Sequence, residues 1–487
     1  MRFLLDTNIL IPLEDSQIPL QPSLANFVKL AQQYGHALLY HPASEDDIRR
    51  DTNELRQART LERLAQYVRL EAGPVCPWNT PQTSANDAVD NQILYALQCE
   101  AAHALVTEDR DIHDKARDLN LVDRVYTIQT AEDLLKRLYE QNYVTLPSIE
   151  DVPLHTLVPM LSDEFFQTLR NDYATFDAWF RQSARDGRKG WVYWENVSRL
   201  GAICIYAAQN NQRISDDGQI LQGAALKLCT FKVATSCRGR KIGELFLKAA
   251  FLFASRNRLE NIFIHGHPEK QHFLFQLLED FGFSKTGTHG QDVVYVKKHP
   301  MQAPADNMAA FDYLRRYYPH FRFGPDVRKF IVPIKPEYHR VLFPDYVSAV
   351  DRQIYLFRPD NTAGNAIKLA YLCHAQTKRI RPGDIVVFYR SGDDKAVTTL
   401  GVAEQYETQT NADEIIKRVK RRTVYTMDQI ANLAHKPTKV MLFRMVRHFE
   451  NPLSLERLTD YNIVNGNIQS ITEISHEAFE RLIAQTG

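Results

Sequence analysis

The stretch Val233-Ala-Thr-Ser-Cys-Arg-Gly-Arg-Lys-Ile-Gly243 lies at the middle of the chain, between two segments with different hydrophobic patterns. Before it, residues 225–233 are apolar enough to predict a buried strand. After it, apolar residues recur at helical spacing from Leu245 to Phe253. A helix that follows such a turn offers unpaired first-turn N–H groups and a positive dipole end. The stretch therefore predicts a site for a diphosphate.

The same stretch resembles the cofactor loop of the GNAT N-acetyltransferases, Gln/Arg-x-x-Gly-x-Gly/Ala, with Arg238, Lys241 and Gly243 at its three positions. Residues 273–283, which end in Gly-Phe, resemble the second motif of that family, and residues 292–297 resemble its closing strand. The resemblance implies an α+β fold with a mixed sheet over residues 146–300. It also implies an acetyl-CoA site formed by Val233, Arg238, Gly239, Arg240, Lys241, Ile242 and Gly243.

Two positions depart from the family pattern. Lys241 stands where glycine is usual, so we expect its backbone to avoid left-handed conformations. Leu278 stands where the family often has a tyrosine acid, so either water or another residue protonates the leaving thiolate, or the module binds acetyl-CoA without turnover. Glu195, near the end of a predicted hairpin strand, is a candidate catalytic base. The resemblance offers His265 and His267 as alternatives.

Length, charge and cysteine content restrict the class of protein. A chain of 487 residues is too long for one core, and three domains are expected. The six cysteines are scattered without a Cys-x-x-Cys pair, which fits a reducing cytoplasm and argues against a disulfide frame or a zinc site. We find neither a signal peptide nor an apolar run of membrane-spanning length, so the sequence predicts a cytoplasmic protein that does not associate with membranes.

The net charge of zero hides a division along the chain. Residues 1–150 hold 14 Lys and Arg against 23 Asp and Glu, residues 151–300 hold 19 against 15, and residues 301–487 hold 26 against 21. An acidic head followed by two basic modules indicates that cations and polyanions bind at different places.

Acidic residues in the head follow predicted strands or begin predicted helices. They are Asp6 after strand 2–5, Asp47 after the second strand, Asp90 in the first turns of a helix, and Asp109 with Asp111 after strand 104–107. Open α/β sheets place their sites at the carboxyl ends of strands. Gathered carboxylates repel one another unless cations neutralise them, and Mg²⁺ and Mn²⁺ prefer oxygen ligands. Two such ions can activate water and stabilise the leaving oxygen in phosphodiester cleavage.

The segments Leu5-Asp6-Thr7-Asn8 and Thr107-Glu108-Asp109-Arg110-Asp111 resemble the acidic motifs of PIN-domain ribonucleases. This resemblance implies an α/β/α domain with a parallel sheet over residues 1–145. It further implies that Asp6, Asp47, Asp90 and Asp109 are catalytic metal ligands, with Asp111 as an auxiliary ligand. The second acid of that family precedes a hydrophobic residue, which selects Asp47 and leaves Asp46 and Glu45 as alternatives.

The remaining residues divide into a linker with a helix, 301–350, and a β-rich domain, 351–487. A helix is predicted over residues 363–371. Arg381-Pro-Gly-Asp384 before a β-run, together with the final segment 475–482, resembles the PUA-like barrels of the ASCH/EVE kind. Members of that group bind RNA or modified bases.

The densest basic run of the tail lies at residues 415–425. On a helix, Lys417, Lys420 and Arg421 share one face, which would neutralise phosphates. Tyr389 and Arg390 are candidates for stacking on a base. The tail is therefore predicted to bind RNA.

Three hypotheses follow from these modules. The first is a divalent-metal-dependent ribonuclease acting on structured RNA such as tRNA, with acetyl-CoA bound by the middle module and RNA held by the tail. Because PIN and GNAT folds both recur among toxins, this hypothesis includes a toxin with an antitoxin or regulatory partner, and PIN domains often form homodimers. The second is an N-acetyltransferase acting on RNA-linked or protein amines. The third is a non-catalytic RNA-binding regulator that responds to acetyl-CoA.

Overall fold

The structure is a computed structural model that describes residues 1–15, 20–70, 75–78, 85–139, 148–196, 199–346, 366–419, 422 and 424–486. The chain divides into two compact units. The first consists of Met1–Tyr143 with Gln409–Lys436, and the second of Val144–Thr408 with Pro437–Gly487. None of the described helices is long and apolar enough to cross a membrane.

The first unit is built on a five-stranded sheet whose neighbouring strands are all parallel. Its strands are β1 (Arg2–Leu5), β2 (Ala37–Tyr40), β3 (Val68–Arg69), β4 (Ala104–Val106) and β5 (Val125–Tyr126), in the order β3-β2-β1-β4-β5. The connecting helices are α1 (Thr7–Glu14), α2 (Pro22–Gln33), α3 (Pro42–Arg49), α4 (Glu54–Arg63), α5 (Ala85–Gln98), α6 (Arg110–Asp118) and α7 (Ile128–Tyr139). Phe3, Leu4 and Leu5 of the central strand are fully buried, as expected when helices cover both faces of a parallel sheet. The predicted parallel sheet is confirmed.

The second unit begins with a seven-stranded mixed sheet. Its strands are β6 (Ile149–Pro153), β7 (Lys189–Asn196), β8 (Arg199–Arg213), β9 (Ile220–Val233), β10 (Asn261–Gly266), β11 (Ser284–His289) and β12 (Asp292–Lys298), in the order β11-β12-β10-β9-β8-β7-β6. Strand β10 runs parallel to β9, and their other neighbours run antiparallel. The helices are α8 (Glu164–Asp172), α9 (Phe176–Arg185), α10 (Ile242–Arg256) and α11 (His272–Asp280). Helices α8 and α9 cover one face of the sheet and α10 and α11 the other, so the predicted mixed sheet is confirmed.

A six-stranded sheet completes the second unit. The elements in chain order are α12 (Ala310–Tyr317), β13 (Lys329–Ile334), α13 (Pro336–Leu342), β14 (Lys368–Cys373), β15 (Ile385–Arg390), β16 (Ala396–Gln409), α14 (Ala412–Val419), α15 (Met427–Ala434), β17 (Thr438–Ser454), α16 (Leu455–Asp460), β18 (Thr472–Ile474) and α17 (His476–Thr486). The strand order is β14-β17-β16-β15-β13-β18. In the described parts of the chain no pairing joins β14 to β18, so the predicted closed barrel is not found.

Two interpretations of the sequence are corrected here. Strand β13 lies in the range assigned to a linker with a helix, yet it is an internal strand between β15 and β18. The predicted helix over residues 363–371 is described from residue 366 onward, and there Lys368–Cys373 form a strand. The four residues 369–372 are all buried, and a short apolar run of this kind does not distinguish a buried strand from a helix.

Helices α14 and α15 connect β16 to β17 but belong to the first unit. The Lys417 Nζ atom lies 2.7 Å from a carboxylate oxygen of Glu100, and the Lys417 side chain is only 2% exposed. Ile415, Ile416 and Val419 of the same helix are buried. The first unit is therefore completed by residues from a distant part of the sequence.

Asp280, the last residue of α11, joins the mixed sheet to the six-stranded sheet. Arg444 of β17 donates from Nη2 to Oδ1 of Asp280 over 2.7 Å and from Nη1 to its carbonyl oxygen over 2.8 Å. The ammonium group of Lys368, on β14, contacts the other carboxylate oxygen. Burial alone would raise the pKa of Asp280, but the charges of Lys368 and Arg444 hold it well below its usual range.

Asp280→Asn should destabilise the protein by roughly 2–4 kcal/mol at pH 7, because Lys368 and Arg444 lose their shared counter-charge. Since the pKa of Asp280 is lower in the folded state, its stabilisation is complete above pH ~4 and falls as the pH drops below that value. Urea unfolding at pH 7 and at pH 3.5 measures both effects. Glu269→Gln, at an exposed turn of the same unit, is the control, and an equal loss in both variants would contradict the role of Asp280.

Candidate functional site

Strands β9 and β10 pair along only part of their length. The pairing runs from Ala225 and Asn261 to Leu228 and Ile264. Beyond these residues β9 continues along β8 to Val233, and β10 continues along β12 to Gly266. The two strands therefore part, and a gap opens between their carboxyl ends. An extended ligand with amide groups can hydrogen-bond to strand edges of this kind.

The loop that follows β9 leads from this gap to the first turn of α10. Gly239 has a φ of +84°, and Lys241, which precedes the helix, has φ +57° and ψ +20°. The expectation that Lys241 avoids the left-handed region is wrong. Its Nζ donates to the carbonyl oxygen of Lys368 over 2.8 Å, and a carboxylate oxygen of Glu244 accepts from the backbone N–H of Lys368. These contacts offset the strain of a left-handed lysine, which is about 1–2 kcal/mol.

The other predicted cofactor residues divide by role. Arg238 is exposed at the loop, whereas Arg240 donates to the hydroxyl of Tyr193 over 3.0 Å. Ile242 is buried and anchors the first turn of α10. A Cβ atom at Gly243 would lie 3.0 Å from Leu277 of α11, so glycine permits this close helix contact.

His265 is the first residue of β10 after its pairing with β9 ends. Burial lowers the pKa of His265 to about 4, and the charges of Lys227 and His289 act in the same direction. A hydrogen bond to the backbone of Ile214 opposes this shift, and the buried Nε2 has no hydrogen-bond partner. The ring is therefore neutral at pH 7 and has a nitrogen available to accept a proton.

The remaining candidates for acid or base are less suitably placed. Glu195 lies 3.3 Å from Arg199 and accepts from the hydroxyl of Ser236, so it stands beside the cofactor loop. His267 accepts from the backbone N–H of Glu269. Leu278 is fully buried in the core.

In the first unit, Asp6 follows β1, Asp109 follows β4 and Asp90 lies on α5, and the charges of Asp90 and Asp109 both act on Asp6. Burial raises the pKa of Asp6 to about 7, hydrogen bonds from Thr107 and Thr7 oppose this shift, and the charges of Asp90 and Asp109 add to it. The Thr107 hydroxyl donates to Asp6 over 2.6 Å. Asp109 caps α6 by accepting from the backbone N–H groups of Asp111 and Ile112.

The structure adds two residues that the sequence did not identify as part of this site. The ammonium group of Lys115 lies 2.9 Å from Asp87 and 3.0 Å from Asp90. Burial raises the pKa of Asp90, and Lys115 opposes the shift. Asp87 and Asp90 are three residues apart on one helix, which indicates that they share a face. This spacing does not indicate that Lys115 of α6 is their partner.

The predicted second acid does not join this group. The charges acting on Asp6 come from Asp90 and Asp109, whereas each α3 acid accepts from an arginine: Glu45 from Arg69, Asp46 from Arg49 and Asp47 from Arg50. Within the described ranges, no three Asp, Glu, His or Cys side chains converge closely enough to hold a metal ion.

The predicted RNA-binding residues fall into two groups. Lys420 and Arg421 lie outside the described residues. Lys417, Tyr389 and Arg390 are buried, and Arg390 forms ion pairs with Asp393 and Asp394. Burial corrects the expectation that these three side chains are presented at the surface. A run of basic residues does not indicate which of them find acidic partners within the protein.

Comparison with known proteins gives one family-model match and several similar solved structures. The model of the EVE domain family matches residues 370–485. Among solved structures, the ASCH protein of Zymomonas mobilis is similar at 13% identity, covering 33% of this chain and 96% of its own, with a TM-score of 0.24. The PaiA N-acetyltransferase of Thermoplasma acidophilum, solved with coenzyme A, is similar at 17% identity, covering 31% of this chain and 99% of its own, with a TM-score of 0.22. Comparison with curated proteins returns no match.

Gly239→Val should weaken acetyl-CoA binding by about tenfold or more, because a β-branched residue at φ +84° distorts the loop at a cost of about 1–3 kcal/mol. Isothermal titration calorimetry with acetyl-CoA measures the effect. Gly187→Val is the matched control, since Gly187 has a φ of +74° with open space around it and lies in the turn between α9 and β7. Equal losses of affinity would mean that general destabilisation, rather than the loop, is responsible.

Proposed function

We propose that the mixed-sheet module is an acyl-CoA-dependent N-acyltransferase, with acetyl-CoA as the donor. One observation carries the proposal: the gap between β9 and β10 leads directly to a left-handed loop and the first turn of α10. A strand-like slot beside a helix N-terminus suits a ligand with amide groups at one end and a diphosphate at the other.

Different residues of this chain would bind the two ends of such a ligand. The first-turn N–H groups of α10 and the exposed guanidinium of Arg238 would hold the diphosphate. The parted edges of β9 and β10 would orient the amide-containing arm. Bound there, acetyl-CoA supplies an activated acyl group as a thioester. The gap brings that group to the end of β10, where His265 lies.

His265 is the proposed general base. Its Nε2 accepts the proton of the acceptor amine as the nitrogen attacks, and the hydrogen bond to Ile214 keeps the ring in one orientation. Leu278 has no proton to donate, so protonation of the leaving thiolate falls to water or to the protonated His265. A base with a pKa of about 4 is in its active form throughout the neutral range.

The acceptor is proposed to be an amine carried by RNA or by an RNA-bound protein. The EVE domain match, apart from residues 409–436, lies in the same compact unit as the mixed sheet. Asp280 joins the two sheets through Arg444 and Lys368, so a substrate held by one sheet keeps a defined position relative to the other. This contact supports RNA-linked acceptors over free amines.

His265→Ala should lower kcat by about 10²–10⁴-fold and leave acetyl-CoA affinity within about twofold, because the base is lost and the cofactor loop is untouched. Transfer of labelled acetyl groups to bacterial RNA and ribonucleoprotein measures the rate. His267→Ala is the control two residues away and should retain activity. Full activity of His265→Ala would remove the base role, and no transfer by the unaltered protein would remove the proposed function.

A second function is proposed for the first unit, and the observation that favours it is the buried carboxyl group of Asp6 beside Asp90 and Asp109. Burial is the largest cause of the raised pKa of Asp6, the charges of Asp90 and Asp109 add to it, and a bound divalent cation would relieve this repulsion. Asp6, Asp90 and Asp109 are the carboxylates that would approach Mg²⁺ or Mn²⁺, but in the described residues they do not converge on one point, so binding of the ion would have to draw them together. Such an ion would supply an activated water for cleavage of an RNA phosphodiester. In this structure the ammonium group of Lys115 is the positive charge next to Asp87 and Asp90.

Asp6→Asn should abolish Mn²⁺-dependent RNA cleavage and the rise in thermal stability that Mn²⁺ produces, since a ligand that binds only the folded state raises its stability. Electrophoresis of total bacterial RNA and thermal unfolding with and without Mn²⁺ measure the two effects. Asp118→Asn, at the far end of α6, is the control. If neither Mn²⁺ nor the substitution changes stability or cleavage, the nuclease function is excluded and acyl transfer stands alone.

A further inference from the structure

A cavity of about 240 Å³ opens beside α5 in the first unit. Its walls include Ala43, Asp46, Trp78, Val89, Asn91 and Gln92. One wall is apolar, one is aromatic, and the rim carries a carboxylate and two carboxamides. This volume lies just below the range of about 300–1,000 Å³ that is typical of sites for drug-sized ligands, so it suits one small ring system.

The aromatic wall of the cavity is held in place. The ring of Trp78 meets the ring of Tyr95 edge-on, with 5.5 Å between centroids and 81° between planes. Trp78 also lies against the hydrophobic core that contains Val89 and Leu94, while part of its surface stays exposed. Packing on one side and a cavity on the other leave a flat aromatic surface available for stacking.

The polar wall is also oriented by contacts within the protein. The side-chain oxygen of Gln92 accepts from the backbone N–H of Cys76 over 3.1 Å. This contact links the Trp78 segment to α5 and leaves the amide nitrogen of Gln92 as the donor group. Asp46 has a side chain that is 73% exposed, and its carboxylate forms an ion pair with Arg49. The cavity therefore offers both a hydrogen-bond donor and an acceptor beside an aromatic ring.

The position of the cavity relates it to the acidic group. Val89 and Asn91 line the cavity, and Asp90, which lies between them in the sequence, contacts Lys115 and acts on Asp6. One helix thus supplies both the cavity wall and an acid of the proposed cleavage site. A nucleotide connects its base to its phosphate through a single sugar, so a base in the cavity would keep its phosphate near α5.

We infer that the cavity binds one unpaired nucleobase of the RNA strand. The phosphate next to this base is the one that would be cleaved at Asp6, Asp90 and Asp109. Stacking on Trp78 supplies affinity for any base, and Gln92 and Asp46 contact its polar edge. The location beside the acids rests on the proposed nuclease function, whereas the binding of a base does not require cleavage. The two ideas can therefore fail separately.

The test uses the full chain carrying Asp6→Asn, so that bound RNA stays intact. Calorimetry with AMP, GMP, CMP and UMP measures base binding, and ribose 5-phosphate, which lacks a base, is the matched ligand. Adding Trp78→Ala should weaken mononucleotide binding by about tenfold, and Trp78→Phe, which keeps an aromatic face, should weaken it by less than about threefold. Gln92→Glu keeps the oxygen that accepts from Cys76 but removes the donor, and it should also weaken binding.

Thermal unfolding establishes that each variant is folded, and if Trp78→Ala is not, Gln92→Glu and Trp78→Phe decide the outcome. Binding of ribose 5-phosphate as tight as that of the mononucleotides would overturn the inference. So would unchanged mononucleotide affinity in Trp78→Ala or, if that variant is unfolded, in Gln92→Glu. Base binding that depends on Trp78, without RNA cleavage by the unaltered protein, would keep the cavity assignment and remove the nuclease.

Discussion

The carboxylate of Asp280 is the contact on which the architecture of the second unit depends. It ends a helix of the mixed sheet, and it accepts from one strand at the edge of the six-stranded sheet and from the strand beside it, through Lys368 and Arg444. Arg444 is almost completely buried, so its charge requires a partner inside the protein. Together with a hydrophobic cluster that both sheets share and the ion pair of Lys248 with Asp345, this contact fixes the position of one sheet relative to the other.

The same interface extends to the cofactor loop. The backbone of Lys368 receives the side chain of Lys241 at its carbonyl oxygen and donates its N–H to Glu244, at the first turn of α10. A left-handed lysine is unfavourable without such support, whereas glycine needs none. The presence of lysine at position 241 thus makes the conformation of the loop depend on β14 of the six-stranded sheet. Lys241 therefore connects the loop before α10 to the six-stranded sheet.

Most of the architecture follows from hydrophobic pattern, and most of what was missed depends on tertiary contacts. The buried run around Leu4 and the pattern on either side of Val233 predicted the parallel and mixed sheets correctly, because a buried strand requires a run of apolar residues in the sequence. The positions of Asp6, Asp90 and Asp109 at strand and helix ends also agree with the influence of Asp90 and Asp109 on the pKa of Asp6, whereas a shared ion site remains a prediction. Lys417 shows the limit of this approach, since its acidic partner Glu100 lies in a distant part of the sequence and is not apparent from the basic run itself. The contact of Lys115 with Asp87 and Asp90 is of the same kind, as it connects two helices whose spacing in the sequence contains no information about their distance.

The helical pair α14–α15 has a consequence for the order in which the protein is made. Residues 409–436 belong to the same compact unit as the first 143, and Lys417 forms its ion pair with Glu100 there. Protein synthesis proceeds at about 5–20 residues per second, so this part of the first unit leaves the ribosome on the order of 10–50 s after the parallel sheet has been synthesised. The parallel sheet is therefore translated early, but α14 and α15 join it only when most of the six-stranded sheet has also been synthesised. A chain that terminates before residue 409 lacks these two helices, so the first unit is complete only in a chain that also contains strands β6 to β16.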